Sequence, residues 1–271
     1  MWGSSFLLMD IALDSTRPAL ISMIRIGTGA LAIGLVKRSR SPVAREDVPR
    51  IVVLGIVWMA IPLLLFPIAL DLGVATSTAG MINGAMPLFA ATFAAVLLRR
   101  PPAPRQAGGL ILGFAGVVMI FLPAARVPET ALGAALALLA TVLYGLAANI
   151  AVPLQQRYGA LPVVFRAQLV ALLAVLPFGL LALGDSSPTM PGLAANVTLG
   201  LFGTGLAFIA MATLIGRTGA TRGAIAIYFV PVVALILGVT LRNEKVDGLA
   251  LAGIGLVLVG AWITSRREIS R

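Results

Sequence analysis

Two arginines, Arg25 and Arg166, stand inside otherwise apolar stretches, 141 residues apart. A guanidinium at such a place is a fixed cation whose planar fork suits a carboxylate or phosphate. Each lies less than about two turns from the end of its stretch, so snorkelling to the interface is the competing reading. Asp10 or Asp14 would then be within reach of Arg25 as partners. Asn83 in "STAGMINGAMP" and Tyr228 in "IYFVP" place an amide and a phenol near the centres of two further stretches. Beside them lie Pro87 and Pro231, separated by 144 residues. Proline removes a helix hydrogen bond and frees a carbonyl, so polar groups beside paired prolines offer a buried ligand its donors and acceptors. The same prolines could simply kink helices for packing, and Asn83 could be interhelical glue. Trp58 and Pro62, with Thr204 and Phe208, fall at similar depth, and Trp2 and Tyr144 would line a vestibule.

These groups can recognise a molecule but are poorly suited to transforming one. The ten acids (Asp10, Asp14, Glu46, Asp47, Asp71, Glu129, Asp185, Glu244, Asp247 and Glu268) all lie in loops or near the ends of apolar stretches. There is no histidine and no cysteine. The commonest proton shuttle, nucleophile and metal ligands are therefore missing, which argues against an enzyme, a metal centre or any cofactor. The small residues Gly109, Gly113 and Gly116, with Gly248, Ala252 and Gly255, suit close helix packing or a homodimer face. They lack the basic residue and the strand-to-helix context of a phosphate loop.

What must position the polar groups follows from composition. The chain is 59% hydrophobic and 11% charged, with a mean hydropathy of +1.04, whereas a soluble domain carries roughly a quarter charged residues. Seven charge-free runs are long enough to span a bilayer: Ile51 to Leu70, Gly73 to Leu98, Gln106 to Ala125, Ala131 to Leu154, Leu193 to Gly216, Gly223 to Leu241 and Gly248 to Ser265. Ala19 to Val36 and Ala160 to Gly184 join them, with one arginine each, and the opening "MWGSSFLLMDIAL" makes ten. The runs lack the alternation of a barrel wall, so they read as helices, which satisfy their own backbone in lipid. Short connections such as "RRPPAPR" and "GDSSPTMPG" leave no room for a soluble domain.

The runs also repeat. "GGLILGFAGVVM" and "AGIGLVLVGAW" each place two glycines seven residues apart, at an offset of 144 that Pro87 and Pro231 share. Trp2 pairs with Tyr144 at 142. Two copies of five spans, 1–125 and 126–271, follow, and an odd number of spans per copy inverts the second. Tyr144 is preceded by a long apolar run, but Trp2 only by Met1. The first helix is therefore expected to be clipped by about a dozen residues. A natively short, tilted helix is the alternative.

"WGSSF" in the first span, an arginine early in the second, a proline in the fourth and the paired glycine endings together resemble the EamA type of the drug/metabolite transporter superfamily. The resemblance spans nearly the whole chain. It implies ten transmembrane helices and movement of small metabolites, often outward. Relatives also carry an acid just after the fourth and ninth spans. "LRNEKVDG" keeps it as Glu244, but "LRRPPAPRQ" does not.

Basic residues fix the orientation. With the N-terminus in the cytoplasm, 14 Lys and Arg fall inside (Lys37, Arg38, Arg40, Arg45, Arg50, Arg99, Arg100, Arg105, Arg157, Arg217, Arg222, Arg266, Arg267 and Arg271) and 4 outside. The net charge of +10 is thus an orientation signal rather than a nucleic-acid footprint. The expectation is a multi-pass protein of the inner (plasma) membrane, both termini cytoplasmic, with the bilayer and a small molecule as partners. Transport of amino acids or related amphipathic compounds stands first, and flipping of a lipid-linked headgroup is the alternative.

Overall fold

The computed structural model describes residues 1–97, 99 and 102–265, the side chains at 221, 222, 224 and 225 excepted. Leu98, Arg100, Arg266, Arg267, Glu268, Arg271 and the side chain of Arg222, all used in the reading above, lie outside what is described. The described residues form helices and no strand. In chain order the long apolar ones are α1 (Trp2–Leu13), α2 (Pro18–Gly34), α3 (Arg45–Asp71), α4 (Thr76–Leu97), α5 (Pro104–Ala124), α6 (Pro128–Tyr158), α7 (Ala160–Leu181), α8 (Met190–Thr218), α9 (Ala226–Arg242) and α10 (Gly248–Ser265). Seven are long and apolar enough to cross a membrane, and α1, α2 and α9 are shorter. With 12 residues, α1 reaches about 18 Å at 1.5 Å per residue, well under the roughly 30 Å of a hydrocarbon core.

Local sequence sets the boundaries. Pro18, Pro104 and Pro128 open α2, α5 and α6 at the position where a missing N–H costs nothing. Thr189 caps α8 by accepting from the Gly192 N–H at 3.3 Å. Gly73 and Gly219, with φ of +86° and +85°, reverse the chain after α3 and α8 in a conformation that suits only glycine. Helix α4 is capped from afar. Glu244, beyond α9, accepts from the Thr76 N–H and hydroxyl, both at 2.7 Å, and from the Ser77 N–H at 2.9 Å. A carboxylate there meets free amides and the positive end of the helix dipole.

Two helices break beside a proline. Within α4 the regular ladder stops at Asn83, with i→i−3 bonds from Gly84 to Met81 and from Ala85 to Ile82, and resumes at Met86. Pro87 cannot donate to the Asn83 carbonyl, which is why the break falls there. The ninth run differs from the single helix expected from Gly223. It begins with a short turn, Ala220–Gly223, and a 3-10 stretch, Ala224–Tyr228, before the α-helix continues from Phe229. Pro231 removes the ladder bond to Ile227, and the tighter 3-10 turn accommodates the loss.

The exterior is apolar and the interior partly polar. Leu173 and Leu181 are 69% and 80% exposed, whereas Gln168 and Thr204 are wholly buried. A surface of that kind is made for lipid. The closest packing joins α5 to α10. A Cβ on Gly109 would lie 2.7 Å from the Gly260 oxygen, and one on Gly260 2.5 Å from the Gly109 oxygen. Gly116 and Gly253 meet the same way, at 2.5 and 2.7 Å, so the two helices run antiparallel with their backbones in contact. Other pairings are α2 with α7, α4 with α9, α1 with α8 and α9, α6 with α3 and α4, α2 with α8, and α7 with α3. Exchanging helices one to five for six to ten maps these pairings onto one another, but α6 also packs on α8, and the counterpart pairing of α1 with α3 is much weaker.

Two outcomes follow for thermal unfolding in detergent. Gly116→Ala forces α5 from α10 and should cost about 1–3 kcal/mol, while Gly255→Ala, with nothing within 4 Å of its Cβ, should cost nothing. Glu244→Ala, which leaves the start of α4 uncapped, should cost about 1–2 kcal/mol.

Candidate functional site

The centre of the molecule is organised by two widened turns. Helix α8 is π-helical over Leu199–Leu206, and α3 over Ile56–Ala60. The residue after each stretch bonds back five positions, Ala207 to Phe202 and Ile61 to Ile56. A π turn accommodates an extra residue, so carbonyls lose their usual donors and side chains swing round the axis. Glycine makes room for neighbours at both places. A Cβ on Gly29 of α2 would fall 2.9 Å from the Gly200 oxygen, and one on Gly55 2.7 Å from the Ala167 oxygen of α7.

Side chains from three helices meet the loosened turns of α8. Trp2 Nε1 donates to the Gly203 carbonyl at 2.8 Å, and Gln168 Nε2 to the Thr204 carbonyl at 2.7 Å. The Thr204 hydroxyl donates to the Leu199 carbonyl at 3.3 Å and accepts from Arg25 Nε at 3.1 Å. Arg25 Nη1 reaches the Met9 sulfur at 3.2 Å. At 2% exposure, Arg25 does not snorkel. Its anticipated partners are engaged elsewhere, because Asp10 and Asp14 both pair with Arg242.

Around this network lies an aromatic cluster. Phe208 takes edge contacts from Trp58, Trp2 and Tyr144, with ring centroids at 5.1, 5.3 and 6.5 Å. Phe66 stacks on Tyr144 at 5.9 Å and meets Phe6 edge-on at 5.3 Å. Two adjoining cavities open against the rings. One touches Trp2, Trp58, Asn83, Met86, Tyr144 and Met211, and the other Trp2, Met9, Arg25, Phe66, Asn83 and Tyr144. They measure about 10 and 20 Å³, room for a water molecule apiece. Asn83 is 4% exposed and its Oδ1 has no partner.

Of the residues singled out from sequence, Trp2, Arg25, Trp58, Asn83, Tyr144, Thr204 and Phe208 come together here. Pro87, Pro231 and Tyr228 stand behind the cavities: Pro231 packs 3.0 Å from where a Gly84 Cβ would be, and the Tyr228 hydroxyl is buried without a partner. Arg166 turns away and donates to the carbonyls of Ser39 and Pro162 at 3.3 and 3.2 Å. Gln168 and Phe66 were not anticipated. Gln168 is the one amide in the apolar run Ala160 to Gly184, a signal as strong as that of Asn83 but without a proline beside it. Larger cavities lie off centre, one of about 540 Å³ at the helix ends near Arg38, Gln155 and Arg217 and one of about 230 Å³ between α8 and α9.

Charged ties close both ends of the bundle. At one, Asp47 accepts from the Tyr158 hydroxyl and Arg157 at 2.7 Å each, joining the start of α3 to the end of α6. At the other, Arg242 of α9 holds Asp10 and Asp14.

A helical bundle with a lipid-facing exterior and a partly polar centre is an integral membrane protein of the transporter class. The chain belongs to the EamA-like transporter family, which it matches over residues 1–122 and 131–266. It is 26% identical over its whole length to a probable terminal-alkyne amino-acid exporter of Streptantibioticus cattleyicolor, of which it covers 91%. It is 24% identical to an uncharacterised transporter of Archaeoglobus fulgidus, with 98% of this chain and 95% of that one aligned, and to an inner membrane transporter of Escherichia coli, with 99% and 90% aligned. A solved crystal structure matches with a TM-score of 0.69 over 97% of this chain and 95% of the other, at 21% identity, and so shares the fold. The protein is a multi-pass membrane transporter.

Gln168→Leu keeps the volume but leaves the Thr204 carbonyl without its donor. It should lower stability by about 1–3 kcal/mol, read as a fall in the thermal midpoint of the detergent-purified protein.

Proposed function

We propose that the protein is a secondary transporter exporting small amphipathic metabolites, amino acids or their relatives, by alternating access between two inverted five-helix halves, 1–125 and 126–271. The observation that carries the reading is the central cavity, where Arg25 and the unpartnered amide oxygen of Asn83 stand among aromatic rings from both halves. Substrate occupies this cavity when it opens, against Trp2, Trp58, Tyr144 and Phe208. Thr204 and the Pro87 and Pro231 breaks, with Tyr228, shape its walls. Arg166, on a loop carbonyl, serves the end of the pathway instead.

Several features support inverted halves. Most helix pairings survive the exchange of the halves, the glycine seam of α5 and α10 is reciprocal, and the π turns of α3 and α8 fall at corresponding places. The ties of Asp47 to Arg157 and of Arg242 to Asp10 and Asp14 link one half to the other, as gates on alternate sides of a central site would. The named exporter among the relatives supports amino-acid substrates and outward movement. The distribution of basic residues, 14 against 4, supports an inner-membrane orientation with both termini in the cytoplasm. Enclosure of Arg25 on all sides favours a free metabolite over a lipid headgroup.

Movement is facilitated or weakly coupled, because the cavity lining contains no carboxylate and the chain contains no histidine. The test is flux of labelled amino acids in proteoliposomes under imposed proton or sodium gradients. The expected result is saturable equilibration, slowed about tenfold or more by Asn83→Leu in well-folded protein. Accumulation beyond equilibrium driven by either gradient would overturn the uncoupled reading.

A further inference from the structure

Arg25 brings a full charge to the middle of the fold with no acid to match it. It is 2% exposed, no carboxylate among the described residues pairs with it, and the nearest acids in sequence are held by Arg242. A guanidinium stays ionised when buried, and a buried ion without a counter-charge is costly to keep. Its present bonds do not repay that cost. Nε donates to the Thr204 hydroxyl, Nη1 to the Met9 thioether, a weak acceptor, and Nη2 has no hydrogen-bond partner. As a brace for α8 the charge would be wasted, because Gln168 braces the same residue with a neutral amide at 2.7 Å.

Across the same cavity stands Asn83, 4% exposed, with its Oδ1 unpartnered. A cationic fork without a counter-charge and an unfilled acceptor therefore line one space, with Trp2, Phe66 and Tyr144 beside them. We infer that Arg25 binds the carboxylate of the transported molecule while the Asn83 amide oxygen accepts from its ammonium group, so that the substrate class is a zwitterionic amino acid with an apolar side chain. The fork matches two carboxylate oxygens, and the rings take the apolar remainder and can face the ammonium. One cation lines the cavity, which matches a monoanionic carboxylate and leaves a phosphate dianion with an unmatched charge. The Met9 contact is the one that yields, since a thioether competes poorly with a carboxylate.

The inference rests on the transporter reading above, and its test separates the two. Proteoliposomes carrying the wild-type chain are assayed for saturable flux of L-norleucine and L-phenylalanine against their carboxamides and O-phospho-L-serine. The amino acids should move at least about tenfold faster than the carboxamides and the phosphate ester. Arg25→Gln should abolish that preference, and Arg25→Lys should keep part of it. In detergent, L-norleucine should raise the thermal midpoint of the wild type and norleucinamide should not, a comparison that stands even if Arg25→Gln fails to fold. Equal flux of acids and carboxamides through the wild type, or an undiminished preference in folded Arg25→Gln, would overturn the inference and leave a transporter. No saturable flux and no thermal shift with any of these compounds would remove both readings.

Discussion

Backbone within a bilayer has no water to bond, so every carbonyl that leaves a helical ladder must be met by another protein group. Helix α8 concentrates that demand in Leu199–Leu206, and the answer comes from three directions. Trp2 of α1 takes Gly203, Gln168 of α7 takes the Thr204 carbonyl, and Arg25 of α2 takes the Thr204 hydroxyl. The same rule operates between α2 and α3. Pro67 cannot serve the Leu63 carbonyl, and the Ser22 hydroxyl, shared with the Pro18 carbonyl at 2.8 Å, reaches it at 2.9 Å. The polar centre is thus placed by the points where ladders open, and the side chains lining the cavity are held at one end by backbone before they face the cavity with the other.

Positions that pair at the 141–144-residue offset in the sequence do not have equivalent surroundings. Trp2 hydrogen-bonds a π-turn carbonyl, while its counterpart Tyr144 stacks on Phe66. Arg25 points inward and Arg166 outward. Glu244 closes the start of α4. The groups bordering the central cavity are therefore unlike on its two sides.

Much of the scaffold was legible in the sequence because its signals are coarse. Charge-free runs mark helices, and the glycine endings Gly109/Gly116 and Gly253/Gly260 lie at the close crossing, though joined crosswise, whereas Gly248, Ala252 and Gly255, read as a packing or dimer face, point away from α5. Asn83 stood out beside Pro87. The π turns left no trace, because a run that is apolar on every face has no periodicity for an extra residue to disturb. Gln168 and Phe66 were missed for a related reason: their partners lie on other helices, and no local pattern reports a contact made across the bundle. The pairing of Asp10 and Asp14 with Arg242 rather than Arg25 likewise depends on α1 lying against α9, a neighbour remote in sequence.

Packing also constrains how the central cavity can open in the cycle proposed here. Along α5 and α10 the backbones touch at Gly109 with Gly260 and at Gly116 with Gly253, so neither helix can slide or roll without collision. The cavity is bordered instead by helices whose ladders are already interrupted: α3 at Ile56–Ala60, α4 between Asn83 and Met86, α8 at Leu199–Leu206, and α9 at Ala224–Tyr228. Interrupted helices bend at such points at little further cost. Their ends carry the bundle's charged ties, Asp47 at α3, Glu244 on α4 and Arg242 at α9. Opening on one side then needs only that the ties there release and the helices bend at their breaks, while the glycine seam holds the two halves in register.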